Sequence, residues 1–110
     1  MHPILEINVS DLELQLNQHV LVDVREPLEL VGPEGQIEGI VVATLGEGLA
    51  QFLTSADPSQ SYIFICRSGQ RSAHACAIAQ TYGFFRVYNM TGGMIAWNQY
   101  KKSGIRYPEH

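Results

Sequence analysis

The run YIFICRSGQRSAHACAIAQTYG, residues 62–83, passes from a strand through a loop into a helix. Residues 62–66 are apolar throughout, as in a strand buried on both faces of a sheet. Residues 72–83 are alanine-rich and end on Gly83, a residue suited to the C-terminal cap of a helix. Between them, residues 66–72 crowd a thiol, two arginines, a glycine and two serines into one turn. That turn is either a solvated connection ending in a buried cysteine or a nest built to hold a reactive sulfur.

The same alternation extends in both directions. Residues 4–7 (ILEI) read as a short strand. Residues 10–17 (SDLELQLN) read as a helix, with Ser10 and Glu13 in capping-box spacing. Residues 19–24 (HVLVDV) form a β-branched strand, and 25–30 (REPLEL) a helical turn with Pro27 near its start. A glycine-rich loop spans 31–39, then a strand over 40–44 and a short helix over 46–54. After a turn at 57–61 and the strand, loop and helix already described come a strand over 86–90, a turn at 91–93 and a helix over 94–104 closing at Gly104. Strands alternating with helices predict an α/β domain whose largely parallel sheet is covered on both faces. Ligands of such sheets sit at the carboxyl ends of the strands, where Cys66 lies.

Composition narrows the function. At 110 residues the chain suits a single domain, 1–110. Hydrophobic residues make up 45% and charged residues 16%, enough apolar surface for a folded core. No apolar run is long enough to span a bilayer, and no secretory signal opens the chain, so a cytoplasmic protein is expected, with no membrane partner. The net charge is −4 with seven Lys and Arg, a poor profile for nucleic-acid binding. Two cysteines make no disulfide framework. The four histidines are scattered without metal-ligand spacing, so metal is set aside.

A thiol becomes a nucleophile as its thiolate. A helix N-terminus favours that anion through its unpaired N–H groups and dipole. Arg67 and Arg71 add positive charge, Gly69 lets successive N–H groups turn inward as a nest, and Ser72 is placed to cap the helix. The other reading, a small buried hydrophobe before a polar turn, needs none of these.

The loop CRSGQRSA, residues 66–73, resembles the active-site loop of single-domain rhodaneses, the thiosulfate sulfurtransferases. LVDVREPLEL (21–30), GQIEGIVVATLG (35–46) and NMTGGMIAWNQYKKSGIRY (89–107) resemble that family's other motifs in the same order. The resemblance implies a three-layer α/β sandwich around a five-stranded, mainly parallel sheet. It implies that Cys66 attacks thiosulfate, or a related small anionic donor, and carries the sulfur as a persulfide. Backbone N–H groups of Arg67, Ser68, Gly69, Gln70, Arg71 and Ser72 would cradle the sulfur. A thiophilic acceptor such as cyanide or a thiol would then remove it, in two-step covalent catalysis. No cofactor is implied. A protein donor or acceptor, in a sulfur relay, would use the same chemistry. Gln36, Glu38 and Ile40 replace the family's histidine, proline and alanine at positions expected to shape a wall near the site.

Other residues carry two readings each. Arg25 either binds an anion near the site or pairs with Asp23 and Glu26 to fix the turn. Arg67 is expected at the pocket mouth, and Arg71 to anchor the loop on a carboxylate. Gly92 and Gly93 would let a neighbouring loop approach closely. Trp97 and Cys76 read as packing residues, and His74 as exposed.

Two other functions compete. Phosphatases and arsenate reductases of similar fold carry a loop resembling H-C-x-x-x-x-x-R, with five residues between cysteine and arginine. Here four separate Cys66 from Arg71, and Ile65 replaces the histidine. A non-catalytic rhodanese-like binding module is the other, although such domains commonly lack the cysteine.

Overall fold

The structure is a computed structural model and describes residues 3–103. Its elements run β1 (Leu5–Ile7), α1 (Val9–Glu13), β2 (Val20–Asp23), α2 (Pro27–Leu30), β3 (Val41–Val42), α3 (Glu47–Ser55), β4 (Tyr62–Ile65), α4 (Gln70–Thr81), β5 (Val87–Met90) and α5 (Gly93–Ser103), with a 3-10 turn at Leu16–Gln18. The five strands form one sheet in the order β1-β5-β4-β2-β3. All four pairings are parallel, so the expected mainly parallel sheet is parallel throughout.

The centre of the sheet is β4. All four of its residues are buried. Alternate side chains point to opposite faces of a strand, and they divide the core in two. Tyr62 and Phe64 join Leu49 and Leu53 of α3 and Ala75, Cys76 and Ala79 of α4. Ile63 and Ile65 join Leu12 of α1 and Met94 and Trp97 of α5 on the other face. This is why the strand reads as a continuous apolar run. The result is the three-layer sandwich, a sheet between two helical layers.

The chain leaves β2 towards β3 on one side and leaves β4 towards β5 on the other. The strand order therefore reverses between β2 and β4, and their carboxyl ends flank the resulting crevice. Asp23 ends β2 and Cys66 follows β4 directly.

α4 closes as expected. Gly83 has φ +88°, its N–H donates to the Gln80 carbonyl, and the Phe84 N–H donates to that of Ala79, a Schellman closure. α1 does not use the Ser10–Glu13 box. Its cap is Asn8, whose side chain accepts from the Asp11 N–H at 2.8 Å, while Ser10 donates to the same oxygen. The strand expected over 40–44 shrinks to Val41–Val42 at the sheet edge. The chain beyond Val42 bonds onward as loop, with the Leu45 N–H donating to the Val24 carbonyl. The closing glycine expected at position 104 lies outside the described residues.

Candidate functional site

The loop from Cys66 to Ser72 is shaped from outside by α5. The N–H groups of Met94 and Ile95 donate to the carbonyls of Cys66 and Arg67 at 2.8 and 3.1 Å. With these carbonyls turned away, N–H groups of the loop can face the sulfur. The approach leaves no room at Gly93. A Cβ there would lie 2.4 Å from the Arg67 carbonyl and 2.5 Å from that of Cys66, at φ +60°. At Gly92, with φ +77°, the crowding has another source: a Cβ there would lie 2.5 Å from the Ala96 Cβ of α5. The close approach of a neighbouring loop expected at both glycines is thus seen at Gly93.

Inside the loop, Gly69 adopts φ +103°, a conformation that side chains disfavour. It occupies the N-cap position of α4, and its N–H donates to Cys66 Sγ at 3.1 Å. Ser72 was expected to be that cap. Instead the helix starts at Gln70, because the glycine turns the chain three residues earlier than Ser72 would. Ser72 thus falls in the first helical turn, fully buried, with its hydroxyl 3.2 Å from Sγ. The loop brings Cys66, Gly69 and Ser72 together. Ser68 contributes through its backbone, while its side chain, like those of Arg67 and Gln70, stands at the exposed rim.

Two opposed effects set the thiol's acidity. Burial pushes it up, since a charge without water is costly. The Ser72 hydroxyl and the N–H groups of Ser72, Gly69 and Ser68 pull it down, and they prevail. Cys76 has no such donors. Burial, with a smaller push from Glu6, raises its thiol to about 12. Both cysteines are free. Cys66 itself has no exposed surface, so the sulfur lies beneath its loop rather than in an open pocket.

The arginines take three distinct places. Arg25 is fully buried, and it grips Asp23 through Nε at 2.9 Å and Nη2 at 2.8 Å. Nη2 also donates to the Gly35 carbonyl at 2.7 Å, and Nη1 to that of Glu29 at 3.4 Å. The turn-fixing reading of Asp23 and Arg25 holds, and the anion-binding reading of Arg25 is corrected: its donors are spent on Asp23 and the 29–35 backbone. Glu26 contributes by backbone instead, its N–H donating to Glu29 Oε1. Arg71 anchors the loop as expected, with both Nη atoms on the Glu29 carboxylate at 2.7 and 2.8 Å. That bidentate contact holds Glu29 down at about 2. Arg67 is half-exposed at the rim, with Nε 3.3 Å from Glu34.

Sequence reasoning missed Asn89, Glu29 and Glu34. Asn89, on β5, is buried, and its Nδ2 donates to the Gly69 carbonyl at 3.0 Å. A lone amide within an apolar strand was its only sequence signal. Gln36 and Glu38 were expected to wall the site. They line a separate cleft with Leu16, Trp97 and Lys101, one that includes no residue of the Cys66 loop.

At the switch point of a parallel α/β sheet the chain thus sets a buried thiol among backbone and hydroxyl donors. Residues 8–100 match the Rhodanese-like domain family. The chain is 39% identical over 77 residues to "Putative sulfurtransferase YtwF" of Bacillus subtilis, spanning 70% of this chain and 71% of that one. It is 39% identical over 79 residues to a protein of Allochromatium vinosum named "Sulfurtransferase", spanning 71% and 70%. A rhodanese-like domain protein of Staphylococcus aureus superposes with TM-score 0.76 at 26% identity, over 86% of this chain and 91% of that one. The chain belongs to the rhodanese-like family.

Proposed function

We propose that the protein is a sulfurtransferase whose carrier is Cys66. The thiolate attacks the outer sulfur of thiosulfate or a related anionic donor. A Cys66–sulfur bond forms, the donor's S–S bond breaks, and its electron pair leaves with sulfite. An acceptor such as cyanide or a thiol, free or on a protein, then attacks the outer sulfur. The persulfide bond breaks with its electron pair returning to Cys66. Neither step calls for a redox cofactor, because the sulfane sulfur passes between nucleophiles without net electron loss from the protein. In this reading the protein works in the cytoplasm, a reducing compartment in which a carrier thiol can be regenerated.

The observation that carries this reading is the set of donors aimed at one atom. Gly69 N–H and Ser72 Oγ both lie within 3.2 Å of Sγ. A second observation weighs against phosphoryl or arsenate chemistry. Arg71, the residue that would have to embrace an oxyanion, has both Nη atoms on Glu29. Related names point the same way, as two relatives are called sulfurtransferases.

Incubation with thiosulfate followed by intact-protein mass spectrometry tests the proposal. A gain of one sulfur atom is expected, removed by cyanide with release of thiocyanate. Cys66→Ser should show neither the gain nor turnover, whereas Cys76→Ser should keep both. Equal loss in the two variants would reject Cys66 as the carrier.

A further inference from the structure

Ser72 has one hydroxyl proton and two acceptors within reach. Its Oγ lies 3.2 Å from Cys66 Sγ and 2.5 Å from Asn89 Oδ1. The Asn89 amide is fixed in orientation, because Nδ2 donates to the Gly69 carbonyl. That bond turns Oδ1 towards Ser72. Cys66 and Ser72 have no exposed surface and Asn89 has 4%, so the contest for the proton takes place away from bulk water.

We propose that Asn89 is a positioning residue for the sulfur, acting through Ser72 by competing with Cys66 for its single hydroxyl proton. While Cys66 is a thiol, its S–H donates to Ser72 Oγ and the Ser72 O–H donates to Asn89 Oδ1. Each acceptor in the chain then has a donor. When the thiol proton leaves to water, the thiolate draws the Ser72 proton to itself, and Oδ1 loses its partner. A buried acceptor without a donor is costly, so Asn89 resists formation of the bare thiolate. Loading reverses the change. Sγ becomes the neutral inner atom of an S–S bond, the charge moves to the outer sulfur, and the hydroxyl turns back to Asn89. Asn89 therefore favours the loaded over the empty carrier. This last step rests on the sulfur-carrier reading, while the competition itself does not.

The charged groups around the sulfur are Arg71 on α4, tied to Glu29 of α2, the Asp23–Arg25 pair at the end of β2, and Arg67 with Glu34 at the rim. β5 supplies Asn89, and α5 supplies the backbone N–H groups on the loop's outer carbonyls. The charged groups stay in place in the variants below.

The test is the pH midpoint for alkylation of Cys66 by iodoacetamide, with the modified peptide identified by mass spectrometry. Four proteins are compared: wild type, Ser72→Ala, Asn89→Ala and the double variant. Asn89→Ala also releases the Gly69 carbonyl, but that effect is common to both Ser72 backgrounds and cancels in the cycle. What remains is the part transmitted by the hydroxyl. The Asn89→Ala shift should lie lower by about half a pH unit or more when Ser72 is present than when it is absent. Equal shifts, or coupling of the opposite sign, would overturn the proposal. Asn89→Asp, nearly isosteric, carries the same test if the alanine variant does not fold. Its carboxylate grips the Ser72 proton harder, so its coupling should be upward, and zero or downward coupling counts against the role. The alkylation readout needs no sulfur transfer. Failure of the carrier reading would appear as absent thiosulfate loading with the coupling intact, and failure of the Asn89 role as the reverse.

Discussion

At the scale of single residues, what separates Cys66 from Cys76 is not exposure but donors. Both are fully buried, yet hydrogen bonds pull one thiol down while burial drives the other up. The sequence suggested that loop N–H groups would do this with help from the flanking arginines. In the structure the work falls to the Ser72 hydroxyl and three backbone N–H groups. The sign of Ser72 is thereby fixed. Ser72→Ala removes the largest single favourable contact, so the alkylation midpoint of Cys66 should rise, by about one pH unit for a hydrogen bond to a charged sulfur. An unmoved midpoint would leave the amides alone as the stabilising groups. The residue type and neighbourhood of Ser72 were legible in the chain, but its role was not. A serine near a helix start serves equally as cap or as donor, and the choice depended on where Gly69 turned the backbone. Asn89 was less legible still, since its partners lie 17 and 20 residues away in sequence and meet it only where the start of α4 packs against the end of β5.

At the scale of elements, two devices hold the loop. One is the seating of α5, where the Cys66 and Arg67 carbonyls occupy the space a side chain at position 93 would need. Gly93→Ala should destabilise the fold by about 1–3 kcal/mol, from overpacking and a strained φ, and should lower sulfur transfer beyond the loss of folded protein. Thermal melts and turnover per folded molecule check both parts. The other device joins α2 to α4 through Glu29 and Arg71. Glu29 is held at about 2 in the fold, below the ordinary value of 4.5. Its contribution to stability is therefore complete above about pH 4.5 and fades as pH falls towards 2. Glu29→Gln should be less stable than wild type at neutral pH, with the gap closing over that window. The pair is partly exposed, so the gap should be small. Denaturant titrations at several pH values would show it, and a constant gap down to pH 2 would argue against the ion pair as its cause. The sequence announced the α5 seating through its paired glycines. It offered Arg71 as an anchor without naming the carboxylate, because Glu26, Glu29 and Glu34 all lay within reach of a chain not yet folded.

At the scale of the whole molecule, the alternation of strands and helices was legible because β4 is buried on both faces and shows it as an unbroken apolar run. Edge elements were less so. Val41 and Val42 are half-exposed, and a two-residue pairing leaves little pattern in IVVAT. Charge also acts at this scale. A chain of net charge −4 repels an anionic donor at long range, so attraction must come from local cations at the rim. Arg67→Ala should raise the KM for thiosulfate several-fold with little change in kcat, and added salt should weaken the wild type more than the variant. Steady-state kinetics at two ionic strengths decide this, and identical KM values would leave donor capture to the loop amides alone.

The complete enclosure of Cys66 has a consequence for what the cell can do to it. Reactivity and access are separate quantities here. The hydrogen bonds ready the sulfur, but the loop above it works as a sieve, and passage through the sieve depends on a reagent's size rather than its chemical potency. A slim anion that presents one terminal sulfur can enter with a small displacement of the rim. A bulky electrophile must first unseat backbone that α5 holds by two hydrogen bonds. The protein can therefore keep an activated sulfur in a crowded solution without spending it on every electrophile that collides with its surface.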